Sequence, residues 1–406
     1  GAQQDNSTVC VSSDPGHLSN PRGVSTEWMY SVGGGESGYV VSHPADPNIF
    51  YAGATNALTR YDRGTGIVRD IQPYPRIVMG EPARDMPERW NWTYPIAVSF
   101  AEPDALYVGS QHLWKSSDEG TSWQRISPDL TRADPETMND SGGPVVKDQD
   151  GPEIYATLYS ITPSPHDAAT IWTGSDDGFV HITRDSGENW SNVTPPDMIA
   201  HTRVMTIDVS HHDAGTAYVA GIRYEMDDRS PYAWKTNDYG ENWTKIIDGI
   251  APDDFVRVVR EDPDRSGLLY AGTEHGVYVS FDDGGSWATL SYDLPDTPVT
   301  GLAVQDRDLV ISTHGRSFWV LDDIETLRQV RADVAKADAH IFAPADAIRR
   351  SVPAVLDYYV SGSDREVRLD VLDGEGELVR TLFQGTRDEG TYRETWNLRY
   401  PGAVTF

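Results

Sequence analysis

The chain has little of several things, and each shortage excludes a class of protein. Its 406 residues include one cysteine, Cys10, so neither an internal disulfide nor a cysteine-based metal site can form. No run of about 18 apolar residues occurs, so no segment is predicted to span a membrane. Basic residues are outnumbered, with 33 Lys and Arg against 63 Asp and Glu and a formal charge of -30. Such a charge disfavours nucleic acid and anionic membrane surfaces as partners.

Lysine is especially scarce, with 5 copies against 28 arginines. Acid-rich, lysine-poor surfaces suit high salt, where screening removes self-repulsion, and a GC-rich genome produces the same bias. Both explanations stay open. The chain begins at Gly1 without methionine and stops at Phe406 within a strand-rich stretch. We therefore expect a piece of a longer protein, in which a missing targeting signal carries no information about location.

Glycine, proline and tryptophan are abundant, with 36, 26 and 12 copies, a composition typical of short strands and many turns. An eight-residue motif, Ser/Thr-x-Asp-x-Gly-x-Ser/Asn-Trp, occurs four times. Its copies cover residues 116–123, 183–190, 236–243 and 280–287. The steps between the four tryptophans are 67, 53 and 44 residues, a period typical of one small sheet with loop insertions.

An alternating apolar strand that ends in small residues precedes each motif and occurs twice more without it. The six copies cover residues 49–53, 106–109, 171–174, 217–221, 269–272 and 309–313. Six repeats are therefore predicted between residues 38 and 322.

The motif resembles the Asp-box, or bacterial neuraminidase (BNR) repeat, of β-propeller proteins. The chain as a whole is similar to large exported bacterial proteins with sortilin-like Asp-box propellers, a group often labelled glycosyl hydrolases; segments 1–8, 33–38 and 312–323 carry this likeness. The resemblance implies an all-β fold, with an Asp-box β-propeller of six visible blades over residues 1–322. Residues 1–37 are expected to complete the last blade or to belong to a preceding one, and a larger ring or a second propeller stays open. The implied location is extracellular, periplasmic or on the cell surface.

Each motif copy is predicted to be a hairpin whose shared residues serve folding. The aspartate accepts hydrogen bonds from turn amides and a hydroxyl, the glycine supplies a positive φ, and the tryptophan packs between sheets. Structural roles are assigned to Asp118, Asp185, Asp238, Asp282, Trp123, Trp190, Trp243 and Trp287. In a propeller these hairpins are expected on the face away from the ligand site.

The turns between the second and third strands of each repeat are predicted at the mouth of the central channel, on the opposite face. The residues expected there to bind a ligand are His112, Arg223, His275, His314 and Arg316. The acidic candidates for catalysis on this face are Asp176, Asp177, Glu274, Glu225 and Glu36. A ring of polar groups at a channel mouth suits a ligand site. Loop tips are also polar simply because they are exposed to solvent.

Three insertions, residues 64–95, 127–153 and 224–230, are expected on the same face, and long ordered loops tend to be functional. In the first insertion Trp90, Trp92 and Tyr94 alternate, so a strand there would place the three rings on one side. Flat rings beside carboxylates suit sugar stacking. They also suit capping a blade or meeting another domain.

The predicted function is binding of a protein, peptide or glycan through loops on one face. A glycoside hydrolase is the first alternative; it needs two carboxylates about 5.5 Å apart for retention or about 6.5–9.5 Å apart for inversion. A structural module of a surface assembly is the second. Sialidase activity is disfavoured, because segment 74–77 approaches the expected arginine segment with its residues in the wrong order. No cofactor or metal is predicted, since the adjacent His211, His212 and Asp213 are typical of a surface turn.

The end of the chain changes period. Apolar residues at 324, 327, 330 and 334 predict a helix over 323–336, within a linker at 323–339. From residue 340 the period is two, with a hairpin turn at 373–376. Residues 340–406 resemble a truncated immunoglobulin-like β-sandwich, for which a spacing or anchoring role is expected.

Overall fold

The computed structural model describes residues 1–11, 29–36, 38–54, 57–75, 80–141, 154–347 and 353–400. Parts of the predicted segments 1–37, 64–95, 74–77, 127–153 and 340–406 therefore lie outside the described residues. The chain divides into two compact units. The first comprises Gly1–Val304 and Val310–Trp319, and the second comprises Gln305–Leu309 and Val320–Phe406.

The chain begins with two short antiparallel pairs of strands. They are β1 (Ala2–Gln3) with β2 (Ser7–Thr8), and β3 (Cys10–Val11) with β4 (Met29–Tyr30). Each pair forms its own sheet, so neither adds a strand to a blade within the described part of the chain.

Six further sheets follow, each with its antiparallel strands in sequence order, and this arrangement confirms the predicted all-β propeller fold. The first three blades consist of β5 (Val40–Ser42), β6 (Ile49–Ala54), β7 (Ala57–Asp62) and β8 (Ile67–Asp70); β9 (Ile96–Val98), β10 (Leu106–Gly109), β11 (Leu113–Ser116) and β12 (Gln124–Arg125); and β13 (Leu158–Pro163), β14 (Ile171–Ser175), β15 (Val180–Thr183) and β16 (Ser191–Asn192).

The next two blades also have four strands, and the sixth has three. They consist of β17 (Arg203–Val209), β18 (Ala217–Arg223), β19 (Asp228–Thr236) and β20 (Thr244–Lys245); β21 (Val256–Glu261), β22 (Leu269–Thr273), β23 (Val277–Ser280) and β24 (Ala288–Thr289); and β25 (Val299–Gln305), β26 (Asp308–Thr313) and β27 (Phe318–Leu321). Short 3-10 helices occur in three loops, at Ala83–Asp85, Pro135–Thr137 and Tyr224–Met226.

The core lies between neighbouring blades, and a glycine in the second strand sets how closely they approach. A Cβ at Gly174 would lie 2.3 Å from Val204 Cγ1 of the next blade, and one at Gly272 would lie 2.6 Å from Val299 Cγ1. Carbon atoms do not pack that closely, so only glycine fits these positions. Packing of the next blade therefore explains the small residue at the end of the repeated strand.

The second unit holds the predicted C-terminal strands. One sheet has the order β28 (Ala339–Ile341), β29 (Ala354–Val360) and β32 (Gly390–Trp396), and the other pairs β30 (Arg365–Leu372) with β31 (Leu378–Arg387). The turn between β30 and β31 closes where the Gly376 amide donates to the Asp373 carbonyl at 3.1 Å, as predicted for the hairpin.

The predicted helix over 323–336 is wrong in extent. The helix α1 covers Glu325–Gln329, and a 3-10 turn follows at Val334–Lys336. The helix ends at Gln329, whose side-chain amide forms two hydrogen bonds with the backbone of Ala343, at 2.8 and 3.0 Å. A tertiary contact thus ends the helix before its apolar pattern does. Among the described residues, neither this helix nor any other is long and apolar enough to cross a membrane.

Candidate functional site

In all four motif copies the aspartate closes its own hairpin. Asp118 accepts hydrogen bonds from the Ser116 hydroxyl at 2.8 Å, from the Ser122 amide at 2.8 Å and from the Ser122 hydroxyl at 2.6 Å. The equivalent three bonds recur at Asp185, Asp238 and Asp282. The bond from the side chain of the seventh motif residue is the largest cause that lowers the pKa of Asp118, Asp185 and Asp238. These carboxylates are fully engaged in their turns.

The motif tryptophans link each blade to the one before it. The Trp123 indole N–H donates to the Ile71 carbonyl at 2.7 Å. The same bond runs from Trp190 to Ile126 at 3.0 Å, from Trp243 to Val193 at 2.7 Å and from Trp287 to Ile246 at 2.9 Å. Every functional group of the motif therefore serves a folding contact.

A central cavity of about 1130 Å³ is lined by residues of the first strands β13, β17, β21 and β25, by N-terminal residues from Gly1 to Asn6, and by loops between strands. In three of these strands a β-bulge adds one residue, at Tyr159 in β13, Met205 in β17 and Arg257 in β21. All three of these side chains line the cavity. A bulge re-aims a side chain at the cost of one ladder position, and here it turns one residue per blade into the channel.

Four arginines line the same cavity, in contrast to the acidic composition of the chain. They are Arg203, Arg229, Arg257 and Arg260. The acidic residues among the lining side chains are Glu225 and Glu274. Among the described lining residues, basic side chains therefore outnumber acidic ones, the reverse of the balance in the chain as a whole.

Both lining glutamates are held by guanidinium groups. Glu225 accepts two parallel hydrogen bonds from Arg203, at 2.9 and 2.8 Å, and Glu274 accepts one from Arg257 at 2.6 Å. Arg260 instead spans the blades, since it donates to Asp208 at 3.0 Å and to the Leu302 carbonyl at 3.2 Å. Charge-assisted forks of this kind are strong and fix the orientation of both partners.

The structure brings together some of the residues predicted at the channel mouth. Glu225, Glu274 and His314 line the cavity. Arg223 instead pairs with Asp228 at 3.1 Å, and half-exposed His275 pairs with Asp296 at 2.9 Å. The hydrogen bond that the His275 ring donates to Asp296 is the main cause that raises the pKa of His275.

The remaining predicted ligand and catalytic residues lie elsewhere. Arg316 is exposed and does not line the cavity. Glu36, also outside the lining, accepts the Asp5 amide at 2.8 Å. Neither residue is placed where it would meet a ligand in the channel.

The turn that carries His112 is covered by the first insertion. His112 Nδ1 lies 3.1 Å from the buried Glu88, which also accepts the Ser110 hydroxyl at 2.5 Å. Arg89, next along the same loop, donates to the Ala156 carbonyl at 2.8 Å and to Asp129 at 2.6 Å. The insertion therefore ties loops of neighbouring blades together and takes His112 out of the channel.

Asp176 and Asp177 are each 1% exposed, so their expected place at an open channel mouth is wrong. Asp177 accepts the backbone amides of Arg132 and Ala133, at 2.9 and 3.0 Å, and so anchors the described part of the 127–153 insertion. Asp176 accepts the amide and the hydroxyl of Thr157, at 2.9 and 2.8 Å. Burial, followed by the neighbouring Asp177, raises the pKa of Asp176 to about 7.

The three alternating rings of the first insertion do not share a face. The segment around them forms no strand, and Trp90 and Tyr94 are 4% and 2% exposed in the core between the first two blades. They contact each other edge to face at 5.4 Å, and the Tyr94 hydroxyl donates to the Ala57 carbonyl. Trp92 alone of the three lines the cavity. A sugar-stacking role for Trp90 and Tyr94 is therefore excluded.

The described residues contain no group of three or more His, Cys, Asp or Glu side chains arranged to hold a metal ion. His212 lies in a turn and contacts the Asp262 carbonyl at 2.9 Å, while Asp213 accepts the Gly215 amide at 2.8 Å. These contacts are those of a surface turn.

The cavity-lining bulge residues were not predicted from the sequence, although a signal for them exists. When β13, β17 and β21 are aligned, each contains a four-residue segment that begins and ends with an apolar residue and has the bulge residue in second place. The three segments are 158–161, 204–207 and 256–259. Alternation of period two hides this extra residue. Comparison of the first strands across the repeats places Tyr159, Met205 and Arg257 at one level.

No protein-family model and no curated protein matches the sequence. Among solved structures, a GH74 xyloglucanase from Xanthomonas campestris has a TM-score of 0.50 at 16% identity, over 80% of this chain and 50% of its own. An ancestral GH74 enzyme has a TM-score of 0.44 at 16% identity, covering 88% and 53% of the two chains. YCF48 from Cyanidioschyzon merolae has a TM-score of 0.44 at 13% identity, covering 78% and 91%. The chain spans about half the length of the xyloglucanase, and the likeness shows a β-propeller fold alone.

Proposed function

We propose that this chain is a binding module that takes a peptide segment into the central channel and carries out no chemistry on it. The observation that carries the proposal is the cavity of about 1130 Å³, walled by fixed guanidinium groups and by the first strands of the blades. A cavity of this size accepts a segment of several residues.

The walls of the channel suit a peptide backbone. Each first strand, from β5 through β25, is the end strand of its sheet and has a partner on one side only. Part of this edge is already bonded by the neighbouring blade, since the Ile207 amide donates to the Ser160 hydroxyl at 3.0 Å and the Glu261 amide donates to Asp208 at 2.9 Å. An extended peptide satisfies edge groups that lack such a partner by adding its own main chain.

The rings at the channel suit a sugar less well. Trp90 and Tyr94 are buried. Tyr224 is 41% exposed, but one face of its ring stacks on Phe255 at 5.3 Å, and Arg257 lies over the Phe255 ring at 4.8 Å. Trp92 is the one tryptophan ring among the described lining residues, so the channel offers a sugar a single tryptophan platform.

Hydrolysis is also disfavoured by the pairing of the acids. A glycosidase needs one carboxyl that stays protonated and a second that is free to act as base or nucleophile. Glu225 and Glu274 are instead hydrogen-bonded to guanidinium groups. Asp176, whose pKa is raised to about 7, is 1% exposed.

The family and the location belong to the same proposal. The four hairpins share one hydrogen-bonding pattern around Asp118, Asp185, Asp238 and Asp282, which supports membership in the Asp-box group. Membership in the sortilin-like exported proteins would place the channel outside the cytoplasm.

Panning a random linear peptide library against the immobilised chain tests this function, alongside a screen of neutral and acidic polysaccharides for release of reducing ends. We expect enrichment of peptides and no release. Release of reducing ends that Glu274→Gln abolishes would replace the proposal with a glycoside hydrolase. If no peptide is enriched and no reducing ends are released, the remaining function is that of a structural module of a surface assembly.

A further inference from the structure

The cavity reverses the charge balance of the chain. Acidic residues outnumber basic ones 63 to 33 overall, whereas four arginines and two glutamates line the cavity. Guanidinium groups recognise carboxylates through paired N–H donors, and a partly desolvated wall strengthens the contact. A positive channel within a negative surface therefore favours a ligand that carries carboxylates.

Two of the guanidinium groups are positioned by aromatic rings as well as by their acidic partners. Arg203 lies over the Tyr159 ring at 5.0 Å, and Arg257 lies over the Phe255 ring at 4.8 Å. The Nε atoms of both arginines are buried and make no hydrogen bond with the described residues. Each arginine thus has a fixed direction.

In both ion pairs the glutamate is the more exposed partner. Arg203 and Arg257 have side chains 18% and 12% exposed, whereas those of Glu225 and Glu274 are 49% and 25% exposed. Glu225 also lies in the short turn Tyr224–Met226, outside any strand. Its side chain can rotate into solvent without moving a blade.

We propose that Glu225 and Glu274 occupy the places that carboxylates of an acidic peptide take, and that binding exchanges the internal carboxylates for those of the ligand. This inference rests on the proposed function and names the chemistry of the ligand. The exchange keeps each guanidinium paired, so no buried charge is left without a partner. The internal glutamates therefore pair the guanidinium groups while the channel is empty. A ligand with few carboxylates displaces them poorly.

Arg229 lies on the same surface and has no internal glutamate that a ligand would need to displace. It lines the cavity, is exposed, and has no hydrogen bond or ion pair with another described residue. A third carboxylate of the ligand gains this contact directly.

Calorimetric titration of hexaglutamate into the whole chain at low salt tests the inference, with hexaglutamine as the uncharged probe of equal length. We expect binding of hexaglutamate alone. Glu225→Gln should tighten its Kd about tenfold, because Arg203 is left without an internal partner, and Arg229→Gln should weaken it about tenfold. The control Glu188→Gln removes one exposed charge outside the cavity and should change Kd much less.

Several results would overturn the inference. Weaker binding by Glu225→Gln would mean that this carboxylate contacts the ligand directly, and equal tightening by Glu188→Gln would reduce the effect to net charge. Tighter binding of oligogalacturonate than of hexaglutamate would assign an acidic glycan. If library panning yields peptides without acidic residues, the inference fails while the proposed function stands; if it yields no peptide, both fail.

Discussion

Asp118 and Asp176 show how differently one fold treats two carboxyl groups. Asp118 is solvated and accepts three hydrogen bonds in its turn, so its pKa is lowered. Because the folded pKa lies below the unfolded one, the stability it contributes is present above about pH 4 and is lost as the pH falls. Asp176 is buried beside Asp177, and burial raises its pKa to about 7. The two groups therefore act on stability in different pH windows.

Asp176→Asn is predicted to flatten the pH dependence of unfolding. Between about pH 4 and 7 the folded chain holds a proton on Asp176 that the unfolded chain has lost, so the free energy of unfolding falls with rising pH by up to ~1.4 kcal/mol per unit. Asparagine keeps partners for Thr157 and removes the titration. Urea unfolding at several pH values between 4 and 8 measures the slope, with exposed Asp227→Asn as control. Identical slopes in the wild type and Asp176→Asn would contradict the assignment.

The first and second strands of each blade have different roles. Second strands such as β14 and β22 are buried along their whole length, and their next-to-last residue is a glycine against which the next blade packs. First strands carry the bulges that turn Tyr159, Met205 and Arg257 into the channel. Packing between blades and lining of the cavity thus fall to different strands of one repeat.

A matched pair of glycine substitutions tests the packing claim. Gly174→Ala is predicted to cost about 1–3 kcal/mol of unfolding free energy, because the new methyl group would overlap Val204 of the next blade. Gly53 occupies the equivalent position in β6, where a Cβ would lie 3.4 Å from its nearest neighbour, and Gly53→Ala should cost much less. Denaturant unfolding of both variants measures the difference. Equal losses would show that backbone freedom, not contact with the next blade, requires glycine.

Elements that depend on residues close together in the sequence were predicted correctly. The motif hairpins and the alternating strands were predictable because turn glycines and period two act within a few residues. Trp90 and Tyr94 also alternate, yet they lie in a loop, since rings that pack into the core between blades imitate a strand pattern. The cavity arginines were not predicted because three bulges and the ion pairs of Arg203 and Arg257 depend on contacts between distant segments.

At the scale of the whole molecule, the charge of -30 and the arginine-lined channel belong to one arrangement. The four motif aspartates contribute negative charge that folding requires. Of the acids predicted at the channel mouth, Asp176 and Asp177 are buried, Glu225 and Glu274 are paired with arginine, and Glu36 accepts the Asp5 amide. The number of carboxylates therefore says little about catalysis, and the position of the four cavity arginines says more about binding.

The most direct test of the account is to block the channel and measure binding of a panned peptide. Thr300 is exposed on β25 and lines the cavity, so Thr300→Trp places an indole ring inside the channel, where it obstructs an extended peptide. Thr289→Trp places the same ring on the exposed outer strand β24 as a matched control. Titration calorimetry should show binding abolished by Thr300→Trp and unchanged by Thr289→Trp. Undiminished binding by folded Thr300→Trp would contradict the claim that the central channel is the ligand site.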